Sequence, residues 1–251
     1  MAAVLLVLAA ATVSVLGFVF LSKVVPERWL VADGDAASAV YATIEMVYAV
    51  LLALGAIAVW EPRSEAAGNT EREANDLVEV YWSARNFAEP DKMIVRGLVV
   101  RYAEEVAGGE WRSLKHEQEP SQRAETLMTQ LKAQIEAVRP ADGQQALSQE
   151  QALSRIGSAA DARKARISTA DEAMPGPMWP ILVIGAIVSV GFLYLFRLDR
   201  TFPNGLMLFL MGGMIALILL VIYHLEYPFS RGLGIGPEAF LDALSQIQAL
   251  R

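Results

Sequence analysis

The sequence predicts an all-α integral membrane protein with four transmembrane helices and a helical soluble domain inserted between the second and third. One observation is its composition, which is 54% hydrophobic and only 20% charged, with a mean hydropathy of +0.35. A soluble domain is usually less apolar and more highly charged. The other observations are four long apolar segments and the concentration of polar residues, at helical spacing, between the second and third of them.

The four apolar segments are each long enough to cross a bilayer. Residues 2–22, 178–196 and 205–223 contain no charged side chain, and residues 36–60 contain only Glu45. A hydrocarbon core of about 30 Å needs roughly 20 helical residues. The first segment lacks the basic start and the cleavage site of a signal peptide, so we expect it to be retained as a span.

The polar region between the second and third spans is predicted to be helical throughout. Its first two apolar stripes include Leu77, Val80 and Tyr81, and then, after Pro90, Ile94, Leu98 and Tyr102. We expect the second stripe to stop at Gly108-Gly109, a third helix to end at Pro140, and a fourth to cover about residues 144–169. These helices form either a small domain or long extensions of the spans.

We therefore divide the chain into residues 1–60 (two spans), 61–177 (helical domain), 178–224 (two spans) and 225–251 (C-terminal tail). The predicted location is the cell membrane, with several passes. Four spans place both termini and the domain on one side of the membrane. A slight excess of basic residues on that side favours a cytoplasmic domain.

The carboxylate of Glu45 is the unusual feature of the second span, "SAVYATIEMVYAVLLALGAIAVW" (residues 38–60). It lies about nine residues into the predicted helix, close to the middle of the bilayer. A lipid-exposed charge at that depth costs at least ~2.5 kcal/mol. The side chain is therefore expected to face protein or water, or to be protonated.

The polar groups of the second span share one helix face, which makes them pore-lining candidates. At 100° per residue, Ser38, Tyr41, Glu45 and Tyr48 fall within about 80°, and Leu52, Gly55 and Val59 continue the same face. A polar section followed by an apolar constriction suits an ion pathway with a dewetting gate. Alternatively, Glu45 hydrogen-bonds a neighbouring helix and only stabilises the packing of the helices, or it has a lipid- or ligand-facing role.

Several function classes are not expected. The chain has no cysteine, and its net charge of −7 argues against nucleic acid as a partner. No nucleophile–base pair, phosphate-binding loop or metal-ligand motif is present, so we expect neither an enzyme nor a cofactor or metal site. The charges of Glu71 and Glu73 are expected to be solvated.

Four stretches, in this order, resemble the bacterial bestrophin-like membrane proteins, a four-span family largely of unknown function. They are "GDAASAVYATIEMVYAVLLALGAIAVWE", "EREANDL", "RYAEEVAGGEW" and "YPFSRGLGIGPEAF". The more specific parts are Trp60-Glu61, residues 71–74, Glu110-Trp111 and the Pro228-Phe229-Ser230 run. The resemblance covers nearly the whole chain.

The resemblance implies a distant relation to bestrophins, which are pentameric anion channels whose second span lines the pore. It implies a homo-oligomeric ion channel, a pentamer by analogy, with the bilayer and inorganic ions as partners. A Glu45 ring would favour cations instead of anions. Bestrophins bind calcium through acids after their Pro-Phe, whereas "SRGLGIG" here has none, so calcium gating is not expected. The alternative is a non-conducting sensor or scaffold whose helical domain binds a protein partner.

Overall fold

The chain is helical in every described element of its computed structural model. The structure describes residues 2–26, 34–116, 119–170, 174–196, 199–232 and 234–250, and these contain no strand. The helices are α1 (Ala2–Val24), α2 (Gly34–Ser83), α3 (Asp91–Glu105), α4 (Trp111–His116), α5 (Gln122–Ala137), α6 (Gly143–Ser168), α7 (Met178–Leu193), α8 (Phe202–Leu225) and α9 (Glu238–Ala249), with a 3₁₀ turn at Ala84–Asn86 and a π-helical turn at Val106–Glu110.

The chain divides into two compact units. The span unit consists of Met1–Trp60 and Ala173–Glu226, and the domain unit consists of Glu61–Glu172 and Tyr227–Arg251. The C-terminal segment, which ends in α9, thus belongs with the helices of the polar region. The domain boundaries given above, at residues 60, 177 and 224, stay a prediction.

Three helices in the described part of the span unit are long and apolar enough to cross a membrane, namely α1, α2 and α8. The segment predicted as the third span forms α7, an apolar helix of 16 residues. At 1.5 Å per residue, α7 is slightly shorter than the hydrocarbon core. The four-span topology therefore stays a prediction.

Helices α1 and α8 pack closely because small residues lie between them. A Cβ atom built on Gly212 would lie 2.7 Å from the Cβ of Ser14. The Ser14 hydroxyl donates to the carbonyl oxygen of Leu208 (3.2 Å), and the Tyr194 hydroxyl donates to the carbonyl oxygen of Ser14 (2.6 Å). Small residues at the contact and hydrogen bonds between helices are the usual means of helix association in lipid.

We predict that Gly212→Leu lowers the free energy of unfolding by about 1–3 kcal/mol, because the new side chain has no space against Ser14. Thermal unfolding of the purified full chain in mild detergent measures the effect. Gly205→Leu, on the same helix, is the matched control, because nothing lies within 4 Å of a Cβ at Gly205. Equal losses in both variants would contradict the packing explanation.

The domain unit is organised by capped helices around an apolar core. The Ser121 hydroxyl accepts from the Ala124 amide at the start of α5, and the Asp142 carboxylate accepts from the Gln145 amide (2.8 Å) at the start of α6. The core contains fully buried residues of α2, α3, α4, α5, α6 and α9. Its largest members are Leu77, Tyr102, Leu114, Leu131, Ile135, Ile156, Phe240 and Ile247.

Two helix ends differ from the sequence-based expectation. Helix α2 does not end near Trp60 but continues through Pro62 to Ser83, so this span has a long extension that forms part of the domain unit. Gly108-Gly109 does not stop the next helix. There α3 passes into the π-helical turn, which leads directly into α4. The turn brings Glu110 and Trp111 into the core, and this tertiary burial outweighs the low helix propensity of the glycines.

Candidate functional sites: the second helix and a buried ion-pair network

The first candidate site is the face of α2 that carries the seven predicted pore-lining residues. Ser38 is exposed, and its hydroxyl donates to the carbonyl oxygen of Gly34 (2.6 Å). Tyr41 is half-buried and stacks on Phe192 of α7, with ring centroids 5.7 Å apart. Its hydroxyl lies 3.6 Å from the sulfur of Met211 in α8. From Tyr41 onward this face therefore packs against other helices of the span unit.

Further along α2 the same face is more deeply buried. Tyr48 is only 3% exposed, and its hydroxyl donates to the carbonyl oxygen of Leu182 (3.1 Å). Gly55 lies so close to Leu182 that a Cβ there would be 3.1 Å from its side chain. Val59 is buried, and Leu52 is half-buried, in one apolar cluster with Leu182. These residues contact the helices of their own chain.

Glu45 lies on this face between the two tyrosines, and its side chain is half-buried. Its Oε1 atom is buried and has no hydrogen-bond partner among the described residues. Six of the seven candidates are thus brought together against the bundle, and Ser38 remains at the surface. Whether they line a pore depends on an assembly of chains, so the lining role stays a prediction.

The opposite face of α2 is apolar and exposed in the described structure. Val47, Val50, Leu54 and Ile57 are each at least half exposed. In the described span unit, no helix packs over these four side chains as α7 packs over Tyr48. In a membrane protein such a face meets lipid, a neighbouring subunit or a pore.

The second candidate site is a network of buried charges in the domain unit. Arg166 of α6 is fully buried, and its Nε atom donates to Oε2 of Glu73 in α2 (2.8 Å). Its Nη2 atom donates to Oε1 of Glu110 (2.6 Å). The hydroxyl of Tyr102 donates to the other oxygen of Glu73 (2.5 Å). Both carboxylates are fully buried, so this is a desolvated ion-pair network.

A second arginine extends the network towards the surface. Arg163 lies one turn earlier on α6, and its Nη2 atom donates to Oε2 of Glu110 (2.6 Å). Its Nη1 atom pairs with the exposed carboxylate of Glu125. The two arginines and the two buried glutamates balance one another in charge. Glu110 bridges both arginines from the π-helical turn, and π-turns are frequent at functional positions.

Aromatic side chains cover this network. The guanidinium of Arg166 lies 5.1 Å from the ring centroid of Trp111 and 5.8 Å from that of Phe240. The indole of Trp111 donates to the carbonyl oxygen of Ile235 (3.0 Å), and Phe229 meets the indole edge-on at 5.5 Å. Three of the four family-like stretches, which are distant in sequence, therefore converge in one cluster.

The pKa values of the network follow from burial and pairing. Burial lowers the pKa of the Arg166 guanidinium, but the carboxylates of Glu73 and Glu110 outweigh this effect, and the pKa lies above its ordinary value. Burial and the Glu73 carboxylate both hold the pKa of Tyr102 well above its usual range. Arg166 therefore stays charged and Tyr102 stays a neutral donor at neutral pH.

The expectation that Glu71 and Glu73 are both solvated is wrong for Glu73. Glu71 is exposed, whereas Glu73 is fully buried. The sequence itself indicates the burial of Glu73, because this residue lies four residues before Leu77 and therefore on the apolar stripe of α2. Arg163 likewise lies on the buried stripe of α6, four residues after Ala159.

Comparison with known proteins identifies the family. The profile of the Bestrophin-like domain matches residues 8–240. The chain belongs to the Bestrophin-like family. A comparison with curated proteins finds no match. The family and the long apolar helices together indicate a membrane protein.

Solved structures share the fold of this Bestrophin-like chain. An aspartate-to-alanine variant of a bacterial bestrophin homologue from Klebsiella pneumoniae aligns with a TM-score of 0.70 at 14% identity, over 98% of this chain and 96% of that one. A second such variant aligns with a TM-score of 0.69 at 12% identity, over 99% and 97%. A membrane protein with a proline-to-alanine change gives 0.67 at 13% identity, over 98% and 95%. At these identities the likeness shows the fold.

Proposed function

We propose that this chain assembles as a homo-oligomeric ion channel in the cell membrane and that α2 lines the pore. Its membership of the Bestrophin-like family supports the proposal, because bestrophins are pentameric channels of four-span subunits. In this proposal α7 is the third of four spans and the helical domain lies in the cytoplasm. Five is the subunit number of the bestrophins and is proposed here by analogy.

The packing of the span unit supports an oligomer. The face of α2 that includes Tyr48 and Val59 is closed against helices of the same chain, which leaves no continuous water-filled path there. A ring of subunits provides a path on its axis, and closed cyclic symmetry is the common way to form one. Size-exclusion chromatography with light scattering, in mild detergent and in nanodiscs, tests this step. A monodisperse monomer in both would contradict it.

Two faces of α2 could line the axis. The seven residues predicted from the sequence form one face, and in that case a ring of Glu45 carboxylates would favour cations. Val47, Val50, Leu54 and Ile57 form the other face. The observation that carries our proposal is the exposure of this second face, because a residue must be uncovered in its own subunit to meet a shared axis.

Single cysteine substitutions test which face lines the pore, because the natural chain has no cysteine to react in the background. We predict that currents through Val47→Cys, Val50→Cys and Leu54→Cys channels fall when a charged, membrane-impermeant thiol reagent is added. Tyr48→Cys is the matched control on the packed face, and we expect its current to persist. The measurement is current across planar bilayers that contain the reconstituted protein.

The opposite pattern would assign the pore to the face predicted from the sequence. Reaction at Tyr41→Cys and Tyr48→Cys, with none on the Val50 face, would mean that Glu45 borders the pathway. The reversal potentials of the wild type and Glu45→Gln would then differ under an ion gradient. No current from any protein that is correctly assembled would contradict the channel proposal itself.

A further inference from the structure

The side chains between α2 and α7 show how these two helices are aligned. Tyr41 stacks on Phe192, and the ring of Tyr48 occupies the space where a Cβ of Gly185 would lie. The seven-residue step from Tyr41 to Tyr48 on α2 thus matches the seven-residue step from Phe192 back to Gly185 on α7, so the two helices are antiparallel here. By this register, Glu45 on α2 corresponds to position 188 on α7, next to Ser189.

Glu45 and Ser189 each carry a buried polar atom without a partner. Oε1 of Glu45 and Oγ of Ser189 have no hydrogen-bond partner among the described residues, and Ser189 is fully buried. In the hydrocarbon region an unsatisfied polar group costs several kcal/mol, since water cannot replace the missing bond. Two such atoms at adjacent positions of packed helices are suited to bind one polar ligand.

The four apolar segments supply no opposite charge for Glu45. Glu45 is the only charged residue in the four apolar segments, residues 2–22, 36–60, 178–196 and 205–223. No arginine or lysine is therefore available within the spans to pair with it. A half-buried carboxylate with no opposite charge in its span is stabilised when it takes up a proton or holds a mobile cation.

We propose that Glu45 and Ser189 form an intramembrane binding site for one small monovalent cation, a proton or Na⁺, in each subunit. A carboxylate and a hydroxyl supply hard oxygen atoms, which such cations prefer. Tyr41 and Tyr48 lie one turn to either side of Glu45 on α2 and pack against α7. The site lies inside the subunit, so it does not depend on the channel proposal.

Few other titratable groups surround this site. The tyrosines of α2 are the nearest in sequence, and the 16 residues of α7 contain none. The remaining titratable groups of the described span helices, up to Trp60 in α2, and of the turn after α7 are Asp35 in the first turn of α2, Lys23 at the end of α1, Tyr194, and Tyr223 and His224 in the last turn of α8. The Glu45→Gln variant therefore shows whether a change in occupancy with pH or Na⁺ arises at Glu45.

The test is the rate at which dicyclohexylcarbodiimide, which attacks protonated carboxyl groups in apolar surroundings, labels Glu45 in nanodiscs that contain the full chain. Peptide mass spectrometry locates the label, and Glu45→Gln must remove it. We expect labelling to slow as the pH rises. If Na⁺ is the occupant, labelling also slows when NaCl replaces choline chloride at constant ionic strength. A response to pH alone identifies the occupant as a proton.

Ser189→Ala tests whether the hydroxyl is part of the site. Loss of a hydrogen bond to a charged group should raise the Na⁺ concentration for half protection about tenfold, or shift the pH profile in the proton case. Thr43→Ala is the matched control, because it removes a hydroxyl from the exposed face of α2 and should change neither response. Labelling that ignores both pH and Na⁺, or an unchanged response in Ser189→Ala, would overturn the proposal.

Discussion

Replacing Arg166 with alanine is expected to lower the free energy of unfolding by about 3–5 kcal/mol, enough to prevent the domain unit from folding stably. The guanidinium is fully buried and pairs with two carboxylates that are themselves fully buried. Its removal leaves Glu73 and Glu110 charged and without their main partner in a medium that solvates charge poorly. Chemical denaturation of the full chain in mild detergent, followed by circular dichroism, measures the loss.

Arg155→Ala is the matched control for this prediction. Arg155 also lies on α6 and also pairs with an acid of α2, Asp76, at 3.2 Å, but its side chain is 54% exposed. Asp76 is buried but Arg155 is largely solvated, so this variant removes the partner of one buried carboxylate instead of two and should lose clearly less stability than Arg166→Ala. If both variants lost the same stability, burial of the network would not explain the effect of Arg166→Ala.

A lysine at position 166 should recover only part of the lost stability. Arg166 uses Nε for Glu73 and Nη2 for Glu110, with Nη2 also 3.3 Å from the second oxygen of Glu73. A lysine presents a single charged nitrogen and cannot reproduce this planar arrangement of donors. The network joins α2, the π-helical turn and α6. We infer that the network also fixes how these three elements align.

The sequence was sufficient for the helices but not for all of their ends. Apolar spacing and Pro140 predict the end of α5 and the extent of α6 to within a few residues. The change from apolar to charged composition at Trp60-Glu61 was interpreted as a boundary. The two compact units do divide there, but the helix does not end, because a helix continues wherever its backbone hydrogen bonds and its side-chain packing are both satisfied. Pro62 did not interrupt it.

The candidate sites show the same limit. Periodicity places Tyr41, Glu45 and Tyr48 on one face of α2 but does not tell which neighbour that face meets. Only the tertiary structure shows that Tyr48 lies against Gly185 of the same chain. The network could have been suspected, because Glu73 and Arg163 interrupt otherwise apolar stripes. Their pairing through Glu110 required the path of the π-helical turn, which no spacing rule predicts.

Replacing Leu54 with asparagine is expected to raise the current through the reconstituted protein roughly tenfold. Leu54 is 50% exposed on the apolar face of α2, together with Val47 and Val50. If these side chains surround a common axis, they form a constriction that excludes water, and ions cross it only when it becomes hydrated. An amide in every subunit favours the hydrated state by more than 1.4 kcal/mol per ring, the free energy that corresponds to about a tenfold change.

Leu52→Asn is the matched control, because it makes the same change two residues away on the packed face of the helix. Leu52 packs against the cluster that contains Leu182 and Ile222, so its replacement should lower the thermal stability without raising the current. Single-channel recordings in planar bilayers, with unfolding curves for both variants, separate the two effects. A gain of current in Leu52→Asn with none in Leu54→Asn would reverse the assignment. The axis would then lie on the face that holds Glu45, and the intramembrane carboxylates would form the ring that the sequence predicts.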